Sequence, residues 1–327
     1  MRTAVTGSIA TDHLMTFPGR ITEQLLPDAL ASVSLSFLVD TLDVRYGGVA
    51  ANIAYGLALL GRSPALVGAA GAADFEEYGA RLRAVGVDTA SVRLSATRHT
   101  SRFLCTTDLD GNQIAAFYAG AMTEAADIEL AATARRLGGL DIVLIGADDP
   151  RAMLRHTRAC RALGIRHAAD PSQQLARLDG DAVRELVDGA AYLFTNAYEH
   201  ALLLEKSGWT HDQVLGRVGA WITTLGEQGS RVERPGAAAV TITAVPTGNV
   251  ADPTGAGDAY RAGFLAALAT GGDPVRAARA GSALASLALT EVGTQTYAFD
   301  PARCADALTA AYGPLTAASV LAALTGR

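Results

Sequence analysis

Short apolar runs alternate with longer amphipathic ones along this chain, and that rhythm admits few folds other than a largely parallel sheet covered by helices on both faces. The spacing predicts strands at Ala4 to Thr6, Ile142 to Ile145, Ile165 to Ala169, Tyr192 to Thr195 and Trp221 to Leu225. Each run is followed by small or polar residues: Gly7 and Ser8, Gly146 to Asp148, Asp170, Asn196, and Gly226. The carboxyl ends of strands are where open α/β sheets bind ligands, so these positions define a candidate edge. Helices fill the gaps, at Ala50 to Leu60, from Pro150 through Leu163, and from Tyr198 to Lys206. The alanine-rich carboxyl terminus reads as one more packed helix.

Two stretches break the rhythm. From Leu14 to Arg45 the chain reads as extended segments, Ser34 to Val39 being the clearest, while Thr100 to Thr107 and Gln113 to Tyr118 resemble a hairpin around Asp110 and Gly111. They predict a small, discontinuous β-sheet at 14–45 and 100–118, outside a large α/β domain made of 1–13, 46–99 and 119–327. Such an appendage suits a lid that excludes water, an edge extension or a dimerisation patch.

Half of the 327 residues are apolar, enough for a sizeable core, and the net charge of −6 gives no long-range attraction for nucleic acid or an anionic membrane. Cys105, Cys160 and Cys304 are widely spaced and odd in number, as expected of reduced, structural thiols. No signal-like amino terminus or spanning apolar stretch stands out, so a cytoplasmic location is expected.

The chemistry concentrates in Asp252, Pro253, Thr254, Gly255, Ala256, Gly257 and Asp258. Upstream, Val240, Ile242 and Val245 suggest a short strand. Downstream, Phe264, Leu265 and Leu268 recur at helical spacing until Gly271 and Gly272. A helix starting at the glycines presents backbone N–H groups without intrahelical partners at the positive end of its dipole, a setting for a phosphate. Asp258 beside that anion has an obvious task, accepting the proton of an attacking hydroxyl. The combination points to phosphoryl transfer to an alcohol. Taken alone, the segment fits a tight turn capped by Asp258 equally well.

Three further fragments join it in order: Gly47 to Asn52, then Asn196 to Glu199, then Thr224 to Gly229. Together they resemble the ribokinase-like, or PfkB-type, carbohydrate and nucleoside kinases along essentially the whole chain. The resemblance implies a three-layer α/β/α ribokinase-like domain with a small β lid, and an ATP-dependent kinase. Gly47 and Gly48 would let backbone approach the acceptor's hydroxyls, and Asn52 offers a donor and an acceptor to a diol. Glu199, three residues after Asn196, lies on the same helix face, so both can address one Mg²⁺ or its waters. By the resemblance Gly226 and Gly229 would admit nucleotide against backbone, with Thr224 toward phosphate, although the residues alone fit an ordinary strand-to-turn glycine pair nearly as well.

Within the family the chain looks closest to bacterial, actinobacterial-type adenosine kinases, through Val5 to His13, Ser34 to Val39, Asp170 to Leu178 and Ala191 to Asn196. That likeness implies a homodimer and assigns roles. Ser8, Asp12, Gly48 and Asn52 would hold the ribose, and Phe103 and Phe117 would stack on the purine. Gln173 and Gln174 would be polar contacts on the purine side, and Ser36 and Phe37 lid residues reaching a neighbouring subunit's site. Arg177 would be an added phosphate contact. It also raises K⁺ as an activator near Asp252, Thr254 and Gly293. A flat base needs aromatic faces, whereas a free sugar has no base to place there. The reaction implied is transfer of ATP's γ-phosphoryl group to the adenosine 5′-hydroxyl. Asp258 would act as base, and the N–H groups of Gly255, Ala256 and Gly257 as the anion hole. A sugar kinase of the same family, or a non-catalytic nucleoside-binding regulator, stays open at this point.

Overall fold

The computed structural model describes residues 1–25, 32 and 34–326. In chain order it runs β1 (Thr3–Thr6), β2 (Ala10–Thr16), β3 (Thr41–Gly47), α1 (Val49–Leu59), β4 (Ala65–Val67), β5 (Ala69–Gly71), α2 (Glu76–Val85), β6 (Arg93–Ser95), β7 (Ser101–Thr107), β8 (Gln113–Tyr118) and α3 (Leu130–Arg136). It continues with β9 (Ile142–Ile145), α4 (Pro150–Ala162), β10 (Arg166–Ala169), α5 (Gly180–Val187), β11 (Tyr192–Asn196), α6 (Ala197–Ser207), α7 (His211–Leu215), β12 (Trp221–Thr224), β13 (Ser230–Glu233) and β14 (Val240–Ile242). The last four elements are α8 (Ala256–Leu268), α9 (Pro274–Ala288), α10 (Pro301–Tyr312) and α11 (Pro314–Thr325).

Eight strands form the central sheet in the order β14-β13-β12-β11-β10-β9-β1-β4, parallel except at β13 and β14. The predicted strands are there, with ends moved by a residue or so. Their interior runs are buried on both faces, which is why they read as continuous apolar segments rather than alternating ones. One core packs α1, α8, α9, α10 and α11 on one face, and a second packs α4, α5 and α6 on the other, giving the three layers. Phe194 of β11 meets Phe264 of α8 edge-on at 5.1 Å, fastening α8 to the sheet. Losing such a buried ring costs about 3–5 kcal/mol. All three cysteines are buried and free. Among the described residues no helix is long and apolar enough to cross a membrane.

A separate four-stranded sheet has the order β3-β2-β7-β8. Its first strand, Ala10–Thr16, straddles the predicted boundary between residues 13 and 14. The extended run predicted at Ser34 to Val39 is irregular; the strand is Thr41–Gly47. The ladder explains the shift: β2 pairs with β3 from Ala10↔Gly47 to Thr16↔Thr41, and the Asp40 N–H to Thr16 O bond at 2.9 Å closes it. Residues 26–31 and 33 of the predicted Leu14 to Arg45 stretch lie outside the described residues. The single carboxyl-terminal helix is in fact two, because Gly313, at φ 78°, ends α10 and Pro314 opens α11.

Candidate active site

The turn from Asp252 to Asp258 forms the wall between two cavities. A cavity of about 480 Å³ is lined by Thr254, Gly255 and Asp258 on one side of the turn. On the other side, Pro253, Ala256 and Gly257 line a cavity of about 640 Å³. Gly255 makes the turn possible: its φ is 79°, and a Cβ there would lie 2.8 Å from the Thr294 side chain. α8 then begins at Ala256. Among the described residues, the N–H groups of Gly255 and Gly257 meet no protein acceptor, whereas that of Ala256 donates to Pro253 O at 3.3 Å. Two of the three expected anion-hole amides are therefore unengaged, and the third is held in a long turn bond.

Asp258 sits in the first turn of α8 with its carboxyl facing the smaller cavity. Asn52 Nδ2 donates to its Oδ2 at 2.8 Å. Desolvation, only partly offset by that bond and by the Arg261 charge, pushes its pKa up to about 7. The group is thus poised to change protonation near neutrality.

The smaller cavity gathers nearly every residue predicted for the acceptor: Ser8, Asp12, Gly48, Asn52, Phe103, Phe117, Gln173, Gln174 and Arg177 all line it. Sheet register explains part of this convergence. Asp12 stands opposite Phe103, and Phe103 opposite Phe117, so the three share one row on one face of the small sheet. Phe117 is 50% exposed, so it is not core. Burial also raises the Asp12 pKa, against the nearby Arg45 charge. At the sheet junction Gly48 has φ 98°, and a Cβ there would meet Ser8 O at 2.6 Å, so the two backbones touch. Ser8 Oγ accepts from Val49 N at 3.0 Å and so caps α1. A short turn at Ser172–Ala176, entered through Ser172 at φ 47°, presents the two glutamines.

Ser36 and Phe37 are not brought to this cavity. Ser36 is exposed, and the Phe37 ring packs on Phe17 at 4.9 Å within the same chain. Thr224, Gly226 and Gly229 line the larger cavity as expected, together with apolar walls from Val245, Pro246, Val250 and Leu289. Asn196 does not line it. Its side chain accepts from Glu199 N at 2.8 Å while Glu199 Oε2 accepts from Asn196 N at 2.8 Å, a reciprocal cap on α6. Burial raises the Glu199 pKa, and Glu199 Oε1 takes no part in the cap.

The residues expected around K⁺ are joined to one another through Asp252. Asp252 Oδ1 accepts from Thr254 N at 2.8 Å, Oδ2 accepts from Gly293 N at 3.1 Å, and Arg45 stands 3.5 Å from the same Oδ2. Each oxygen accepts one backbone N–H and keeps a lone pair, with the Arg45 guanidinium beside Oδ2.

Sequence reasoning missed the supports behind these groups. Asn52 Oδ1 accepts from Thr294 Oγ1 at 2.9 Å and from Gln295 Nε2 at 2.8 Å, and Gln295 reaches Tyr78 OH at 2.6 Å. The acceptor assigned to a diol is therefore spent inside the protein, and with one amide hydrogen given to Asp258 a single Asn52 N–H remains for a ligand. Arg261 and Asp170 form a buried pair beneath Gly257. Nothing in local spacing marks Thr294 or Gln295, which lie over 240 positions from Asn52.

The pfkB family carbohydrate kinase model matches residues 8–301, and the chain belongs to that family. Among its curated relatives is the nucleoside kinase of Methanothermobacter thermautotrophicus, 35% identical over 271 residues, 82% of this chain and 86% of that one. Among solved structures, the nucleoside kinase of Burkholderia thailandensis in complex with inosine superposes with a TM-score of 0.82 at 36% identity, covering 95% of this chain and 98% of that one. The same enzyme in its ADP-inosine complex gives a TM-score of 0.80 at 37% identity, covering 95% of this chain and 96% of that one.

Proposed function

We propose that this protein is an ATP-dependent nucleoside kinase that phosphorylates the 5′-hydroxyl of adenosine, giving AMP and ADP in purine salvage. The observation that carries the reading is the position of the Gly255–Gly257 turn as the shared wall of two cavities, with Asp258 on the acceptor side. An acceptor in one cavity and a nucleotide in the other would meet across unengaged amides, the arrangement in-line transfer needs.

Asp258 takes the hydroxyl proton as oxygen attacks the γ-phosphorus. The Gly255 and Gly257 N–H groups, with Ala256 released from its long bond, stabilise charge on the transferred group. Asp12 accepts from the ribose hydroxyls, Asn52 donates to them while holding Asp258, and Ser8 and Gly48 shape the floor. Phe103 and Phe117 stack on the base, the two glutamines address its edge, and Arg177 meets phosphate. Mg²⁺, bound chiefly by the nucleotide's phosphates, would neutralise their charge, and the Glu199 oxygen left outside the cap is the group that fits its water shell.

The small sheet acts as a lid in this reading. Opposite the Asp12–Phe103–Phe117 row its other face exposes Leu42, Val44, Ile114 and Tyr118 at 60%, 51%, 45% and 41%. So apolar a face suits a second copy of the chain and supports a homodimer, with Ser36 and Phe37 reaching the partner's site. Two aromatic rings at the acceptor cavity favour a nucleoside over a free sugar.

A coupled ADP-release assay tests this, offering adenosine, inosine, guanosine, ribose and fructose in parallel with and without Mg²⁺. Turnover with adenosine above the other acceptors is expected. Preference for ribose or fructose would return the sugar-kinase reading, and binding of adenosine with no ADP release the non-catalytic one.

A further inference from the structure

Arg261 lies three residues beyond Asp258 on α8, is 5% exposed, and lines neither cavity. Its Nε and Nη2 donate to Asp170 Oδ2 and Oδ1 at 3.1 and 2.9 Å, a two-pronged pair with a side chain that is itself 1% exposed. Asp170 follows β10 directly and is anchored by its own N–H to Ile145 O at 2.9 Å. The remaining arm of the guanidinium, Nη1, donates to Gly257 O at 3.2 Å, and the cation lies over the Phe194 ring at 5.3 Å. One side chain therefore ties the carboxyl end of β10, through Asp170 that of β9, and Phe194 of β11 to the carbonyl of Gly257, the residue whose own N–H is an anion-hole amide.

A buried ion pair is a poor way to gain stability, because desolvating both charges offsets their attraction; neutral, well-packed residues do as well or better. Its presence under the transfer site calls for another reason. We infer that the Asp170–Arg261 pair is a positioning device for phosphoryl transfer: Asp170 fixes Arg261, which holds the Gly257 peptide in register and sets a positive charge beside Asp258. The inference rests on Asp258 being the base. Other groups facing that carboxyl are Asn52 from α1, Asp12 and Arg177 across the cavity, and Tyr297 behind it, while Glu199 of α6 faces the guanidinium. The Arg261 charge favours the Asp258 carboxylate and the Asp170 charge opposes it.

The two partners consequently act on the base in opposite directions, a signature that a merely structural stitch lacks. The test is the pH profile of kcat/KM for purified Arg261→Gln, Arg261→Lys and Asp170→Asn enzymes, each checked for folding by circular dichroism. Arg261→Gln should move the acid limb up and Asp170→Asn should move it down, each by about one pH unit. Arg261→Lys keeps the charge but loses the fork, so its limb should stay while kcat falls about tenfold or more and the nucleoside KM changes less than about threefold. Limbs that coincide with the parent's in the folded variants overturn the inference. Should one single-charge variant not fold, the double Asp170→Asn/Arg261→Gln variant replaces it. That variant should still lose kcat with little change in KM, and parental kcat would overturn the proposal. If Asp258→Asn itself keeps its turnover, the base assignment fails; if that variant is inactive and the limbs stay put, the positioning role alone fails.

Discussion

Replacing Asp258 by asparagine keeps the size of the side chain and its contact with Asn52 while removing the charge and the proton acceptor. Loss of a general base typically costs about 10²–10⁴ in rate, so kcat should fall by that factor while adenosine affinity stays within a few-fold. The same substitution has a stability consequence whose sign follows from the raised pKa. An acid whose folded pKa, about 7, exceeds its unfolded value near 3.8 favours folding fully only below the latter, and that contribution is lost as pH climbs through the former. Above neutrality the parent therefore carries a buried carboxylate that the asparagine variant lacks. Between pH 5 and pH 8 the linkage amounts to roughly 2–3 kcal/mol, reduced to about 1–2 kcal/mol because the carboxyl faces a cavity open to water. For a chain of this length 1 kcal/mol moves Tm by about 1.5 °C. The variant's advantage in Tm over the parent should accordingly be about 1.5–3 °C larger at pH 8 than at pH 5. Single-turnover ADP release and scanning calorimetry at the two pH values read both effects. Near-normal turnover at saturating ATP would refute the base role, and a Tm difference that does not grow with pH would refute the desolvated carboxylate.

The parent's kcat/KM should rise with pH through about 7 as Asp258 loses its proton, and a limb near pH 4 would argue for an ordinary, solvated acid. Phe103→Ala should weaken adenosine by about 1–3 kcal/mol and leave ribose nearly unchanged in calorimetric titrations; equal losses would remove the stacking argument. Gly255→Ala forces an L residue to φ 79° against Thr294, so kcat should drop at least tenfold with adenosine still bound, as a thermal-shift titration would register. Chelating Mg²⁺ should abolish ADP release without abolishing adenosine binding, since no protein metal cage of three or more acidic, histidine or cysteine side chains occurs among the described residues.

What could be read in the sequence was what has a local period or a local steric demand. The buried strands announced themselves as apolar runs, and the Gly255 turn as a glycine where only φ > 0 fits. Ser8, Asp12, Phe103 and Phe117 were legible through likeness to a family, because register, which no single strand encodes, is what aligns them. The strand lies at Thr41–Gly47 rather than at the extended run Ser34 to Val39 for the same reason: its position is dictated by β2's ladder. The Asn196-to-Glu199 spacing suits a shared ligand and a helix cap equally, and the two side chains form that cap with Glu199 Oε1 left over. The polar supports were invisible, since Asn52, Thr294, Gln295 and Tyr78 are neighbours only after folding.

The row from Asp12 through Phe103 to Phe117 lies only two residues out from the ends of the small sheet that join the large domain, at Ala10 and Ser101. Two residues of strand span about 7 Å, so a hinge there swings the whole row through a short arc, and all three side chains travel as one body. In the proposed reaction the carboxylate that holds the sugar and the rings that hold the base would thus arrive in the same stroke. A molecule that satisfies Asp12 but has nothing flat to offer the two rings still has to accommodate them.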